Sequence, residues 1–86
     1  MKIIVITAVW CPSCLVMKPL FEKIKRQYTD IEMHMYDIDL DEEASKYNVG
    51  HILPVFIIEN KDNIEVGRLI GEHKLEELIK MVESGY

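Results

Sequence analysis

Cys11 and Cys14 are the only cysteines in the chain, and they form a C-x-x-C within Trp10-Cys11-Pro12-Ser13-Cys14. On a helix, a spacing of three residues brings two sulfurs close enough to bond, which suits reversible dithiol–disulfide chemistry. A disulfide closing so short a loop constrains the unfolded chain little, and small secreted scaffolds use four, six or eight cysteines. The pair therefore points to chemistry or metal rather than to a structural staple. Zinc would need two further ligands, and among His34, His51 and His73 no pair has finger-like spacing. The acidic run Asp37, Asp39, Asp41, Glu42 and Glu43 does not make a calcium loop, since Glu42 stands at the turn glycine and Asn48 at position twelve. It reads as a strand end followed by an N-capped helix.

The elements around the pair decide what it can do. Pro12 suits the first turn of a helix, where its missing N–H would find no acceptor anyway, and this makes Cys11 the N-cap. There the unpaired N–H groups and the helix dipole stabilise an anion, and the thiolate is the nucleophile. Cys14, one turn deeper, is expected to be less exposed, so Cys11 attacks and Cys14 resolves. Before the motif, Ile3 to Thr7 is a continuous β-branched run that suits a central strand covered on both faces. After it, Leu15, Val16, Leu20, Ile24 and Tyr28 follow helical spacing, with a kink expected at Pro19. Ile31 to Ile38 reads as a second strand, with Met33 and Met35 as core packing. Asp41 reads as the N-cap of a short helix ending at Tyr47. Val55 to Ile58 is a buried strand, and the polar loop 60–63 turns it into Ile64, Val66, Leu69 and Ile70 as a hairpin. Leu75, Leu78, Ile79 and Val82 mark a final amphipathic helix.

The order is β-α-β-α-β-β-α, with the first two strands parallel through a right-handed crossover. That gives a minimal α/β three-layer sandwich on a four-stranded mixed sheet, with residues 1–86 as a single domain. With 86 residues, 49% hydrophobic and 29% charged, the chain is neither disordered nor repetitive. A net charge of −5 argues against a nucleic-acid partner. No stretch approaches the roughly 20 apolar residues of a membrane span. The apolar N-terminus lacks a cleavage site before Trp10-Cys11-Pro12 and reads as a strand rather than a leader.

The chain resembles the thioredoxin/glutaredoxin superfamily of thiol–disulfide oxidoreductases over essentially its whole length. The resemblance is carried by Trp10, Cys11-Pro12-Ser13-Cys14, Pro19, Leu53-Pro54-Val55 and Gly71. It implies a thioredoxin-like fold in which Pro54 is a cis-proline across from the cysteines and Leu53 presents its backbone to a bound peptide or glutathione. Trp10 would add an apolar rim, and Pro12, Ser13 and Gly71 would line the same groove. Length and element order look like a glutaredoxin, and Trp10 like a thioredoxin. The buried acid that thioredoxins carry six residues before the first cysteine is here Val5. The acidic pair that glutaredoxins use for glutathione falls on His73 and Lys74, of the wrong sign. The implied protein is a cytoplasmic, monomeric reductase of protein disulfides with no bound cofactor. Its disulfide would be recycled by an external donor, a thioredoxin reductase-like enzyme or glutathione. A glutathione-linked glutaredoxin, a redox sensor and a zinc-binding module are the alternatives. His51, three residues before Pro54, reads as a solvated loop histidine.

Overall fold

The computed structural model describes residues 1–85; Tyr86, the last residue of the expected 1–86 unit, lies outside the described residues. Strand β1 (Lys2–Thr7) leads through helix α1 (Pro12–Gln27) to β2 (Glu32–Asp37), and a 3-10 helix covers Glu42–Tyr47. Strands β3 (Val55–Glu59) and β4 (Glu65–Ile70) form the hairpin, and α2 (Leu75–Ser84) follows. The sheet order is β2-β1-β3-β4. β1 runs parallel to β2, from Lys2 opposite Glu32 to Thr7 opposite Asp37, as a helical crossover requires. β1 and β3 are antiparallel, with Ile3 opposite Ile58, and so are β3 and β4.

Central position explains the uninterrupted apolar runs. Side chains alternate across a strand, so a strand covered on both sides must be apolar at every position. Ile3 and Val5 of β1, with Phe56 and Ile58 of β3, face α1 and α2, where they meet Met17, Phe21, Ile24, Leu78 and Val82. The Phe21 and Phe56 rings stack with centroids 5.9 Å apart. Ile4, Ile6, Val55 and Ile57 face the other way and pack with Ala44, Leu53 and both cysteines. Each such side chain removed from water contributes about 1.5–3 kcal/mol before conformational entropy is counted. The sheet therefore has α1 and α2 on one side and the 3-10 helix with its flanking loops on the other, the expected three-layer α/β arrangement.

Three local expectations are corrected. Leu15 and Val16 of α1 are exposed, and the buried stripe is Cys14, Met17, Phe21 and Ile24, continued by Tyr28. Steps of three, four, three and four keep that stripe on one face, and Cys14 sets its phase. The element from Glu42 to Tyr47 is 3-10 rather than α-helical, and the Asp41 side chain does not cap it. That carboxylate instead accepts from the backbone N–H of Asp37 at 2.8 Å. Met33 packs against the core but Met35 is exposed, because β2 is an edge strand with one face only partly covered. Pro19 lies inside α1, which runs on to Gln27.

Candidate active site

Cys11 is the N-cap of α1, in extended backbone conformation, and Pro12 is the first helical residue. The backbone N–H of Cys14 donates to Cys11 Sγ at 3.3 Å, so the sulfur holds the place that a capping oxygen usually takes. An anion at that atom gains from the same N–H groups and from the helix dipole. The Cys11 thiol reaches the carbonyl of Leu53 at 3.8 Å. The two cysteines are equally buried, each 5% exposed, contrary to the expected gradient between them. Leu53 and the strand end close over Cys11, while Cys14 turns inward with the helix.

Burial pushes the Cys14 thiol from its ordinary 9.0 up to about 12, helped by its hydrogen bond with Cys11 and by the nearby Cys11 and Asp37 charges. Cys14 also lines a shallow cleft of about 310 Å³ with Thr7, Val9, Leu15, Lys18, Met35 and Asp37.

Leu53 and Pro54 are buried directly before β3, joined by a cis peptide bond. Gly71 donates its N–H to the Pro54 carbonyl at 2.8 Å and sits at φ +85°, a conformation that glycine adopts without strain. Trp10 is 60% exposed, and its indole Nε1–H donates to Asp39 Oδ2 at 2.6 Å. Pro12 is exposed and Ser13 half-buried. Ser13 Oγ–H donates to Glu72 Oε2 at 2.8 Å. The structure thus brings Trp10, Cys11, Ser13, Cys14, Leu53, Pro54 and Gly71 to one end of the sheet. His51 is exposed on the loop before Leu53. Among the described residues, no three His, Cys, Asp or Glu side chains are grouped so as to hold a metal ion.

Three residues of the site carry no motif: Asp37, Asp39 and Glu72. Asp37 accepts from Val9 N at 3.1 Å and from its own turn, at Asp39 N and Leu40 N. The parallel register sets Thr7 opposite Asp37 and so lays the end of β2 beside the motif.

A buried dithiol at a helix N-terminus, facing a proline loop at the strand ends, defines a protein that exchanges thiols and disulfides. The comparisons agree. A family model described as Thioredoxin matches residues 1–84, and the chain belongs to the thioredoxin family of thiol–disulfide oxidoreductases. It is 32% identical to thioredoxin H5 of Arabidopsis thaliana over 98% of this chain and 72% of that one. It is 34% identical to thioredoxin H2-1 of Oryza sativa subsp. japonica over 96% of this chain, spanning 60% of that relative. The Fasciola hepatica thioredoxin structure superposes with a TM-score of 0.84 at 28% identity, over 99% of this chain and 80% of that one. Reduced Schistosoma mansoni thioredoxin gives a TM-score of 0.85 at 29% identity, over 99% and 78%. The matches are to thioredoxins, so the glutaredoxin reading suggested by length and element order gives way to the one suggested by Trp10. No helix among the described residues is long and apolar enough to cross a membrane.

Proposed function

We propose that this protein is a dithiol reductase of protein disulfides in a reducing, cytoplasmic setting, with Cys11 as nucleophile and Cys14 as resolving thiol. The observation that carries the reading is Cys11 Sγ at the N-cap of α1, hydrogen-bonded by the Cys14 N–H and facing Leu53. Cys11 thiolate attacks one sulfur of the substrate disulfide, and the other sulfur leaves as a thiolate that takes a proton. The mixed disulfide lies in the groove formed by Trp10, Pro12, Ser13, Leu53, Pro54 and Gly71. Cys14 loses its proton and attacks Cys11 Sγ, releasing the second substrate thiol and leaving a Cys11–Cys14 disulfide. Two electrons pass from the dithiol to the substrate, and no prosthetic group takes part.

The two thiols play unequal parts. A thiol pushed up to about 12 stays protonated while Cys11 reacts, which keeps Cys14 from competing for the substrate. An external dithiol donor of the thioredoxin-reductase type restores the reduced pair. Reduction of a protein disulfide, coupled to such a donor, tests the scheme. Cys11→Ser abolishes turnover, and Cys14→Ser accumulates a covalent adduct visible by intact mass under non-reducing conditions. Full turnover by Cys14→Ser would overturn the assignment of roles. A midpoint between the thioredoxin value of about −270 mV and the glutaredoxin range of about −200 to −230 mV fits a reductase, and one near −120 mV would mean an oxidant.

A further inference from the structure

Glu72 is the acid that the β4–α2 loop brings to the dithiol. Its Oε2 accepts from Ser13 Oγ, inside the C-x-x-C itself, although the two residues are 59 apart in sequence. Helix α1 has no acidic residue in its own first turn, so Glu72 supplies from another segment the negative charge that the helix N-terminus favours. The loop that carries it is fixed at both ends. On one side Gly71 is tied to the Pro54 carbonyl. On the other, the two ring nitrogens of His73 meet the Ile70 carbonyl and Glu77 Oε2, each at 3.0 Å, and Lys74 N–H donates to Glu77 Oε1. The loop backbone beneath this exposed carboxylate is therefore ordered before any partner arrives, which lowers the ordering cost of using it. One hydroxyl takes one of its roughly four acceptor positions and leaves the others toward solvent. Asp39 on Trp10 and Asp37 on Val9 put two further carboxylates on the opposite flank of the cysteines. Of the nearby bases, Lys18 lies on the Cys14 side of the cleft with Asp37, His73 is committed to Glu77 and Ile70, and Lys74, two residues from Glu72, is the N-cap of α2.

We propose that Glu72, seated on Ser13 at the mouth of the dithiol, determines substrate specificity by favouring protein disulfides flanked by a lysine or arginine side chain. This rests on the oxidoreductase reading above. The carboxylate attracts a cationic residue beside the attacked sulfur and repels an anionic one. Attraction in one case and repulsion in the other, at an exposed site, give about a fivefold preference at low salt.

The test is single-turnover oxidation of the pre-reduced protein by two disulfide peptides that differ only in a lysine or a glutamate next to the half-cystine. No donor enzyme is needed, and the second-order rate constants are read by quenching and mass analysis. The lysine peptide is expected to react about fivefold faster, with the ratio falling as salt screens the charges. Glu72→Gln brings the ratio near unity. Ser13→Ala, which frees the carboxylate but keeps its charge, gives a ratio between those of the wild type and Glu72→Gln. Equal rates in the wild type, or an unchanged ratio in Glu72→Gln, would each overturn the proposal. Failure of both peptides to oxidise the wild type would overturn the oxidoreductase reading and this proposal with it, which is distinguishable from equal rates.

Discussion

Cys14 should be chemically silent in the folded protein at pH values where an ordinary thiol reacts. Its thiol is pushed from 9.0 up to about 12, and burial is the largest cause. Burial survives removal of Cys11, so the single-thiol variant Cys11→Ser isolates it. At pH 8 a thiol with that value is roughly one part in 10⁴ thiolate, against roughly a quarter for a free cysteine, a ratio of about 10³ in reactive species. Iodoacetamide labelling of Cys11→Ser at pH 8, followed by mass, should therefore run roughly a hundred- to a thousandfold slower than labelling of a free cysteine. In denaturant the two rates should match. Labelling of folded Cys11→Ser within tenfold of the free thiol would refute the reasoning. The same shift ties stability to pH. A raised folded-state value means that the folded reduced protein holds its proton when the unfolded chain has lost it. The contribution is thus fully present below about pH 9 and is lost as pH rises through about 12. Over that window reduced wild type should lose stability relative to Cys14→Ser by up to about 1.4 kcal/mol per pH unit, read from denaturant midpoints. A constant difference across the window would count against the shift.

Two further outcomes follow from the loop beside the dithiol. Gly71→Ala forces a Cβ onto a residue at φ +85° and should cost about 1–2 kcal/mol, lowering Tm by roughly 5–15 °C; an unchanged Tm would show that the turn relaxes without strain. His73 is raised above its ordinary value, first by Glu77 and then by the Ile70 carbonyl. Its contribution is therefore fully present below about pH 6.5 and fades as pH rises through the folded value. The stability gap between wild type and His73→Gln should be widest near pH 5.5 and smaller at pH 9, and a gap that widens with pH would reverse the assignment.

Features that depend on neighbours along the chain were legible before any tertiary contact was known. Pro12 after Cys11 is enough to start a helix and make the first cysteine its cap, and a spacing of three is enough to bring Cys14 back to Cys11. The unbroken run Ile3 to Ile6 could only be a strand covered on both faces, and the order of elements then dictated a parallel β1–β2 pair. Helix phase was less legible. Leu15 and Val16 are as apolar as Met17 and Phe21, and only packing against Phe56 and the sheet decided which stripe turned inward. Tertiary structure alone brought Asp37, Asp39 and Glu72 to the dithiol, across 28, 29 and 59 residues of chain. Hydrogen bonds at such separations depend on strand order and on where each strand ends, and neither is encoded in the local spacing of apolar and polar residues. The equal burial of the two cysteines has the same origin: the helix sets their spacing, but the Leu53 loop that closes over Cys11 comes from 42 residues away in the chain.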